Sequence, residues 1–166
     1  MKIKEVMSQE VVTIQAEATL KEAAQTMAQE NIGALPVYQG DVLIGMLTDR
    51  DIVIKAAAKG LNLNITRVEQ AMTWKAECCM EDREVEEAAQ IMEAKRVRRL
   101  LVLDKDGLLA GIVSLGDIAL RTHNKKLVEE VLETVAAVRW NESEDMDDSV
   151  DNTYGADFQD EGVSDQ

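Results

Sequence analysis

The sequence predicts a mixed α/β fold: two copies of one β-α-β-β-α unit, packed with pseudo-twofold symmetry. Three observations predict it. The chain repeats itself, with residue 3 aligning with residue 68 and, after one extra residue in the second hairpin turn, residue 45 with residue 111. Each copy alternates helix-period and strand-period apolar runs in the same order. A copy of about sixty residues cannot bury a full core alone, whereas two copies packed sheet against sheet can.

The elements follow in order. IKEVMS at 3–8 aligns with VEQAMT at 68–73, and a short apolar run comes next, Val11 to Ile14 in one copy and Glu77 to Met80 in the other. LKEAAQTM at 20–27 then aligns with VEEAAQIM at 85–92. Leu20, Ala23, Ala24, Met27 and Ala28 share one face at helical spacing, as do Val85, Ala88, Ala89 and Met92. Thr19 and Glu22 have the spacing of a capping box, and Asp82 is the expected cap of the second helix. LPVY and VLIGML surround Gln39-Gly40-Asp41, and RLLVL and LLAGIV surround Asp104-Lys105-Asp106-Gly107, which reads as a hairpin in each copy. A closing helix runs from about Asp49 to Lys59, with Gly60 as its stop. The predicted units are repeat one at 1–65, repeat two at 66–122, a helix at 123–140 and an acidic tail at 141–166. The helix carries the apolar stripe Leu127, Val128, Val131, Leu132, Val135 and Val138, with Trp140 at its end. The tail's polar composition predicts disorder.

Composition narrows the function. Aromatic residues make up only 3% of the chain, so the core must be aliphatic. The net charge is −14, and residues 141–166 hold 10 acidic and no basic side chains, so most of the acidity lies in the tail. An acidic chain lacks the electrostatic footprint of a nucleic-acid binder or of a protein held on anionic membranes. No apolar run has the length of a membrane span and MKIKEVMSQE has no apolar signal region, which predicts a cytoplasmic protein. Cys78 and Cys79 are adjacent, which suits neither a stapling disulfide nor zinc-ligand spacing, and strand alternation predicts one in the core and one outside it.

Each repeat closes with the same corner, GMLTDRDI at 45–52 and GIVSLGDI at 111–118. Thr48 with Asp51, and Ser114 with Asp117, have capping-box spacing where a strand turns into a helix. The same geometry could bind a nucleoside phosphate. A helix N-terminus offers N–H groups to a phosphate. A hydroxyl there can donate to a phosphate oxygen, and a carboxylate one turn inside has two acceptor oxygens for adjacent ribose hydroxyls. Ile32, Gly33 and Ala34, with Val97 in the second copy, precede strands and suit the wall of a base pocket. No nucleophile–base pair or metal cluster stands out, so the chain is not read as an enzyme.

The paired motifs resemble the cystathionine β-synthase (CBS) domain in its tandem form, the Bateman module. The resemblance covers residues 1–122 and rests on VMS and AMT, TLKEAAQTM, NIGALPVY with Pro36, and the duplicated Gly-φ-φ-[Thr/Ser]-x-x-Asp corner. It implies a regulatory binding module whose clefts take AMP, ADP, ATP or S-adenosylmethionine, with no cofactor required. It implies a homodimer too, for which the Ala/Met faces of helices 20–30 and 85–95 are candidates, and a regulated protein partner. By the resemblance, Asp51 and Asp117 hold ribose, Thr48 and Ser114 lie near ribose and phosphate, and Arg50 and Gly116 start the helices. Val12 lines the base pocket through its backbone. Ile32, Gly33 and Ala34, with Val97, Arg98 and Arg99, wall the two clefts. Arg98 and Arg99 are expected beside the phosphates of the Ser114/Asp117 site. Leu101 stands where the first copy has Pro36, and Glu77 where it has Val12. The alternative is a structural or protein-interaction homodimer whose corners are only caps.

Overall fold

The computed structural model describes residues 1–122, 125–130 and 132–133. His123, Val131, Val135, Val138, Trp140 and the acidic tail lie outside the described residues.

Helix α1 (Ile3–Val6) leads into β1 (Ile14–Gln15), α2 (Leu20–Glu30), β2 (Ala34–Gln39) and β3 (Val42–Thr48). Helix α3 (Asp49–Asp51) continues without a break into a π turn (Ile52–Ala56) and a 3-10 turn (Ala57–Lys59) that stops at Gly60 with φ +67°. After a 3-10 turn (Val68–Gln70) come β4 (Thr73–Trp74), β5 (Cys78–Met80), α4 (Val85–Lys95), β6 (Arg99–Leu103), β7 (Leu109–Ser114) and α5 (Leu115–Thr122). The first sheet has the order β1-β2-β3-β4 and the second β5-β6-β7. In each sheet the first strand runs parallel to the second across a helical crossover, and the hairpin is antiparallel.

Local chemistry explains most boundaries. Thr19 accepts from the Glu22 N–H at 3.2 Å while Glu22 accepts from the Thr19 N–H at 2.8 Å, which completes the expected capping box. Helix α4 differs from expectation. Its N-cap is Glu84, so Asp82 falls outside the helix. Glu84 has a second task there, because its carboxylate takes Lys2 at 2.6 Å and the N-terminal amine at 2.8 Å. The long cations of the first residues need an acceptor at this point, and Glu84 reaches them from the start of α4.

Two aliphatic cores form, but they do not follow the sequence repeats. Ile3, Val6 and Met7 pack with α4, β6, β7 and α5 in the second core. Val68, Ala71 and Met72 pack with α2, β2 and β3 in the first core. Each repeat thus lends its lead-in segment to the other. The exchange reaches the sheets: Ser8 exchanges backbone bonds of 2.9 and 3.0 Å with Ile112, and β4 pairs Thr73 with Met46. The two corner glycines make this possible. A Cβ on Gly45 would lie 2.2 Å from the Thr73 carbonyl oxygen, and one on Gly111 would lie 2.8 Å from that of Ser8.

The Ala/Met faces of α2 and α4 are spent inside the monomer. Ala23, Met27, Ala88, Ala89 and Met92 are buried in their own cores and cannot form a dimer face. The apolar side chains left exposed on the closing helices are Val53 and Ile54 on the π turn and Leu120 on α5. Ile54 and Leu120 hold equivalent positions in the two repeats. Leu127 and Val128 of the following helical segment pack against the second core.

Two predictions follow from this packing. Gly45→Ala should lower stability by about 1–3 kcal/mol, because the new methyl meets a strand backbone rather than a movable side chain. Gly116→Ala is the control, since its Cβ would meet only Ser114 Oγ at 3.5 Å. Urea midpoints compare them. The second concerns acid. Hydrogen bonds from Lys2 and the N-terminal amine hold the Glu84 carboxyl down at about 2, below its ordinary 4.5. The stabilisation is complete above the ordinary value and is lost as pH falls toward the folded one. The melting-point gap between wild type and Glu84→Gln should therefore be constant near neutrality and shrink below about pH 4.5.

Candidate functional site

Both corners form where an apolar strand ends against a helix. In the first, the Thr48 N–H donates to Asp51 Oδ2 at 2.9 Å, the Thr48 hydroxyl donates to the same oxygen at 2.7 Å, and Thr48 Oγ1 accepts from the Asp51 N–H at 3.1 Å. In the second, the Ser114 N–H donates to Asp117 Oδ2 at 2.8 Å, the Ser114 hydroxyl donates to the same oxygen, and Ser114 Oγ accepts from the Asp117 N–H at 3.1 Å. The pre-strand segments lie beside the corners, as the sequence suggested. Ala34 pairs with Thr48 and Arg99 with Ser114. The Gly33 carbonyl accepts from the Asp49 N–H at 3.1 Å and the Arg98 carbonyl from the Leu115 N–H at 3.0 Å.

The corners differ in what remains unused. In the first, Lys55 binds Asp51 Oδ1 at 2.8 Å, and Asp49 Oδ1 accepts from the Arg50 N–H at 2.7 Å. The Asp49, Arg50 and Asp51 N–H groups and both Asp51 oxygens are all engaged, contrary to the expectation of open N–H groups at that helix start. In the second, Arg121 takes the Lys55 position but makes no ion pair with Asp117 among the described residues. It lines a separate open polar cleft with Glu5 and Glu10. Among the described residues Asp117 Oδ1 has no hydrogen-bond or ion-pair partner, and Gly116 adds no side chain over its own N–H.

The arginines divide. Arg98 is exposed beside the second corner. The backbone of Arg99 also lies there, but its guanidinium turns toward the first corner. A point 3.6 Å from Arg99 Nη2, where a Gly33 Cβ would sit, is 2.9 Å from Asp49 Oδ2. Arg99 therefore reaches toward Gly33 of the other half, without an ion pair to Asp49 among the described residues. Val12 and Ile32 are half-buried against the first core and Val97 against the second, so these three can meet a ligand mainly through backbone. Glu77, at the Val12 position, is paired with Lys95 at 3.2 Å.

A cleft of about 580 Å³ lies elsewhere, where the two hairpins approach each other. None of the predicted site residues lines it. Trp74, Lys75 and Cys78 do. Sequence reasoning passed over Trp74 and Lys75 because their counterparts in the first copy, Gln9 and Glu10, share none of their chemistry. One usable signal was a tryptophan beside a predicted strand in a chain with two. The cysteines divide as strand alternation predicts, Cys78 exposed and Cys79 buried. Burial, then the adjacent Cys78, pushes the Cys79 thiol up to about 12, and burial followed by Glu77 raises Cys78.

The CBS-domain family model matches residues 3–57 and 68–123. The chain belongs to the CBS domain family. This CBS pair is 35% identical over 134 residues to the CBS domain-containing protein YhcV of Bacillus subtilis, an alignment covering 81% of this chain and 94% of the relative. It is 36% identical over 129 residues to Hypoxic response protein 1 of Mycobacterium tuberculosis, covering 77% of this chain and 90% of that one. The solved structure of that protein holds two coordinated zinc ions and superposes with a TM-score of 0.64 over 73% of this chain and 98% of its own. Among the described residues of this CBS pair, no three His, Cys, Asp or Glu side chains gather to hold a metal. The CBS pair of MJ0100, solved with 5'-methylthioadenosine and S-adenosyl-L-methionine, is 28% identical with a TM-score of 0.64, over 75% of this chain and 98% of that one. The two-sheet α/β architecture is that of the family, and no described helix is long and apolar enough to cross a membrane.

The thiols give a prediction for this region. Since the thiolate is the reactive form, Cys78 should alkylate more slowly at pH 7 than a free thiol and speed up as pH rises. Cys79 should react only on unfolding. Mass spectrometry after timed iodoacetamide treatment reads both.

Proposed function

We propose that this CBS pair is a non-catalytic regulatory sensor of an adenosyl ligand, AMP, ADP, ATP or S-adenosylmethionine, acting in the cytoplasm on a protein partner. The observation that carries the reading is the unpartnered Asp117 Oδ1 at the second corner. A half-buried carboxylate oxygen beside a bare glycine N–H and an exposed arginine offers an acceptor to ribose and donors to phosphate. The MJ0100 pair, solved with two adenosyl ligands, supports the ligand class. The Ser114/Asp117 corner is the primary site. A ligand at Asp51 would first have to displace Lys55.

The same reading includes a homodimer through the closing helices, where Ile54 and Leu120 stand exposed at equivalent positions. Ligand binding would then favour one arrangement of the pair over another, a population shift by differential affinity. A purely structural homodimer with both corners as caps is the competing reading, favoured by the complete hydrogen bonding of the first corner.

Thermal unfolding with each adenosyl ligand separates them. A ligand at one hundred times its Kd should add about 2.7 kcal/mol to wild type. Asp117→Asn keeps a cap acceptor but loses the second carboxylate oxygen, so it should fold and lose the shift, while Asp51→Asn keeps most of it. No shift with any adenosyl ligand sinks the sensor reading. Leu120→Glu in sedimentation tests the dimer independently.

A further inference from the structure

The cleft between the hairpins lies apart from both corners and has its own chemistry. Its volume of about 580 Å³ falls within the roughly 300–1,000 Å³ range of small-molecule sites. Its walls come from both halves: Leu43 and Ile44 of β3 face Leu101 and Leu103 of β6. Trp74 lines it and is 53% exposed, a large ring on an edge strand with little protein over it. Leu108, at the second hairpin turn, is 66% exposed at the same cleft. Exposed apolar surface of this kind on two opposed hairpins is costly in water unless something covers it.

One cation stands among these groups. Lys75 lines the cleft, and its backbone is held in the left-handed region at φ +52° by a 3.0 Å bond from its N–H to the Ile44 carbonyl. Among the described residues its ammonium has no ion-pair partner. Asp41, the other charged residue of the cleft, belongs to the first hairpin turn and is not paired with Lys75. An apolar chamber with an aromatic wall and an unmatched ammonium is complementary to a compact apolar body carrying one carboxylate.

We infer that the hairpin cleft is a second ligand site, for a small aromatic or aliphatic carboxylate, with Lys75 receiving the carboxylate and Trp74 packing against the apolar body. The inference does not rest on the adenosyl reading, since neither corner's hydroxyl–aspartate pair nor any other predicted ligand contact lines this cleft.

Isothermal titration of the full chain with 2-naphthoate tests it, with the neutral 2-naphthylmethanol as counterpart. The expected result is one saturable site for the acid, bound at least about tenfold more tightly than the alcohol, the scale of one ionic contact. Lys75→Met should remove that preference, Asp41→Asn should not weaken binding, and bound naphthoate should slow alkylation of Cys78. Asp117→Asn should leave all of this unchanged. Equal binding of acid and alcohol, or full binding by Lys75→Met, overturns the inference. So does competition by an adenosyl ligand, which would make the cleft part of the corner site. Dimerisation that closes the cleft to naphthoate would assign the surface to a second copy and also overturn it.

Discussion

The approach of each lead-in segment to the other repeat's hairpin is the constraint from which the rest follows. At Gly45 and Gly111 a backbone carbonyl comes closer than a Cβ would permit. Once these crossings form, neither core is complete without residues from both repeats. Ile3, Val6 and Met7 close one, and Val68, Ala71 and Met72 the other. Folding of one repeat then leaves apolar positions of its core unfilled until the other is in place, so the pair behaves as one cooperative unit. The crossing also sets the distance between the sheets, and with it every cleft the two halves share.

On this symmetric frame the chemistry is not symmetric, and small substitutions account for it. Lys55 and Arg121 are equivalent positions with equal charge, yet only Lys55 lies at its aspartate. Lys55 also comes within 3.5 Å of the Met72 carbonyl and Thr73 Oγ1, so the crossing segment helps to hold it over Asp51. On the other side Arg121 lines the cleft that contains Glu5 and Glu10. The acids of the N-terminal segment offer Arg121 an attraction away from Asp117. The first corner is thus neutralised from within, while among the described residues no cation pairs with Asp117 at the second.

What the sequence made legible was local or duplicated. The hairpins, the Thr19, Thr48 and Ser114 caps, and the stop at Gly60 depend on a few consecutive residues, and the repeat doubled the hairpin and corner signals. The exchange of lead-in segments was not legible. Two similar segments can pack on either of two similar cores, and an alignment of the repeats is the same in both cases. The physical mark of the exchange was present in Gly45 and Gly111, but a glycine opening a strand motif reads first as a backbone convenience. Glu84 was missed as the start of α4 because glutamate is a poor N-cap by propensity, and its role depends on Lys2, more than eighty residues away in sequence. The direction of Arg99 was missed for a similar reason. Its backbone follows its strand, but a long side chain can leave its own strand's corner, and here the guanidinium lies near Gly33 of the other half.

The two closing helices carry this asymmetry to the molecular surface. In α5 the corner at Asp117 and the exposed Leu120 are one turn apart on a regular helix, so a change at the corner is passed on as movement of a rigid rod. In the first half, the helix widens into a π turn directly after Asp51, and Ile54 lies within that turn. A π turn departs from the regular i to i+4 bonding and is frequent at functional sites. Force applied at Asp51 would be absorbed there before reaching the surface. Of the two corners, the one with the unused carboxylate oxygen is therefore also the one joined stiffly to an exposed apolar residue. In the second repeat the corner aspartate and the exposed leucine share one regular helix of eight residues, whereas in the first a π turn begins directly after the corner.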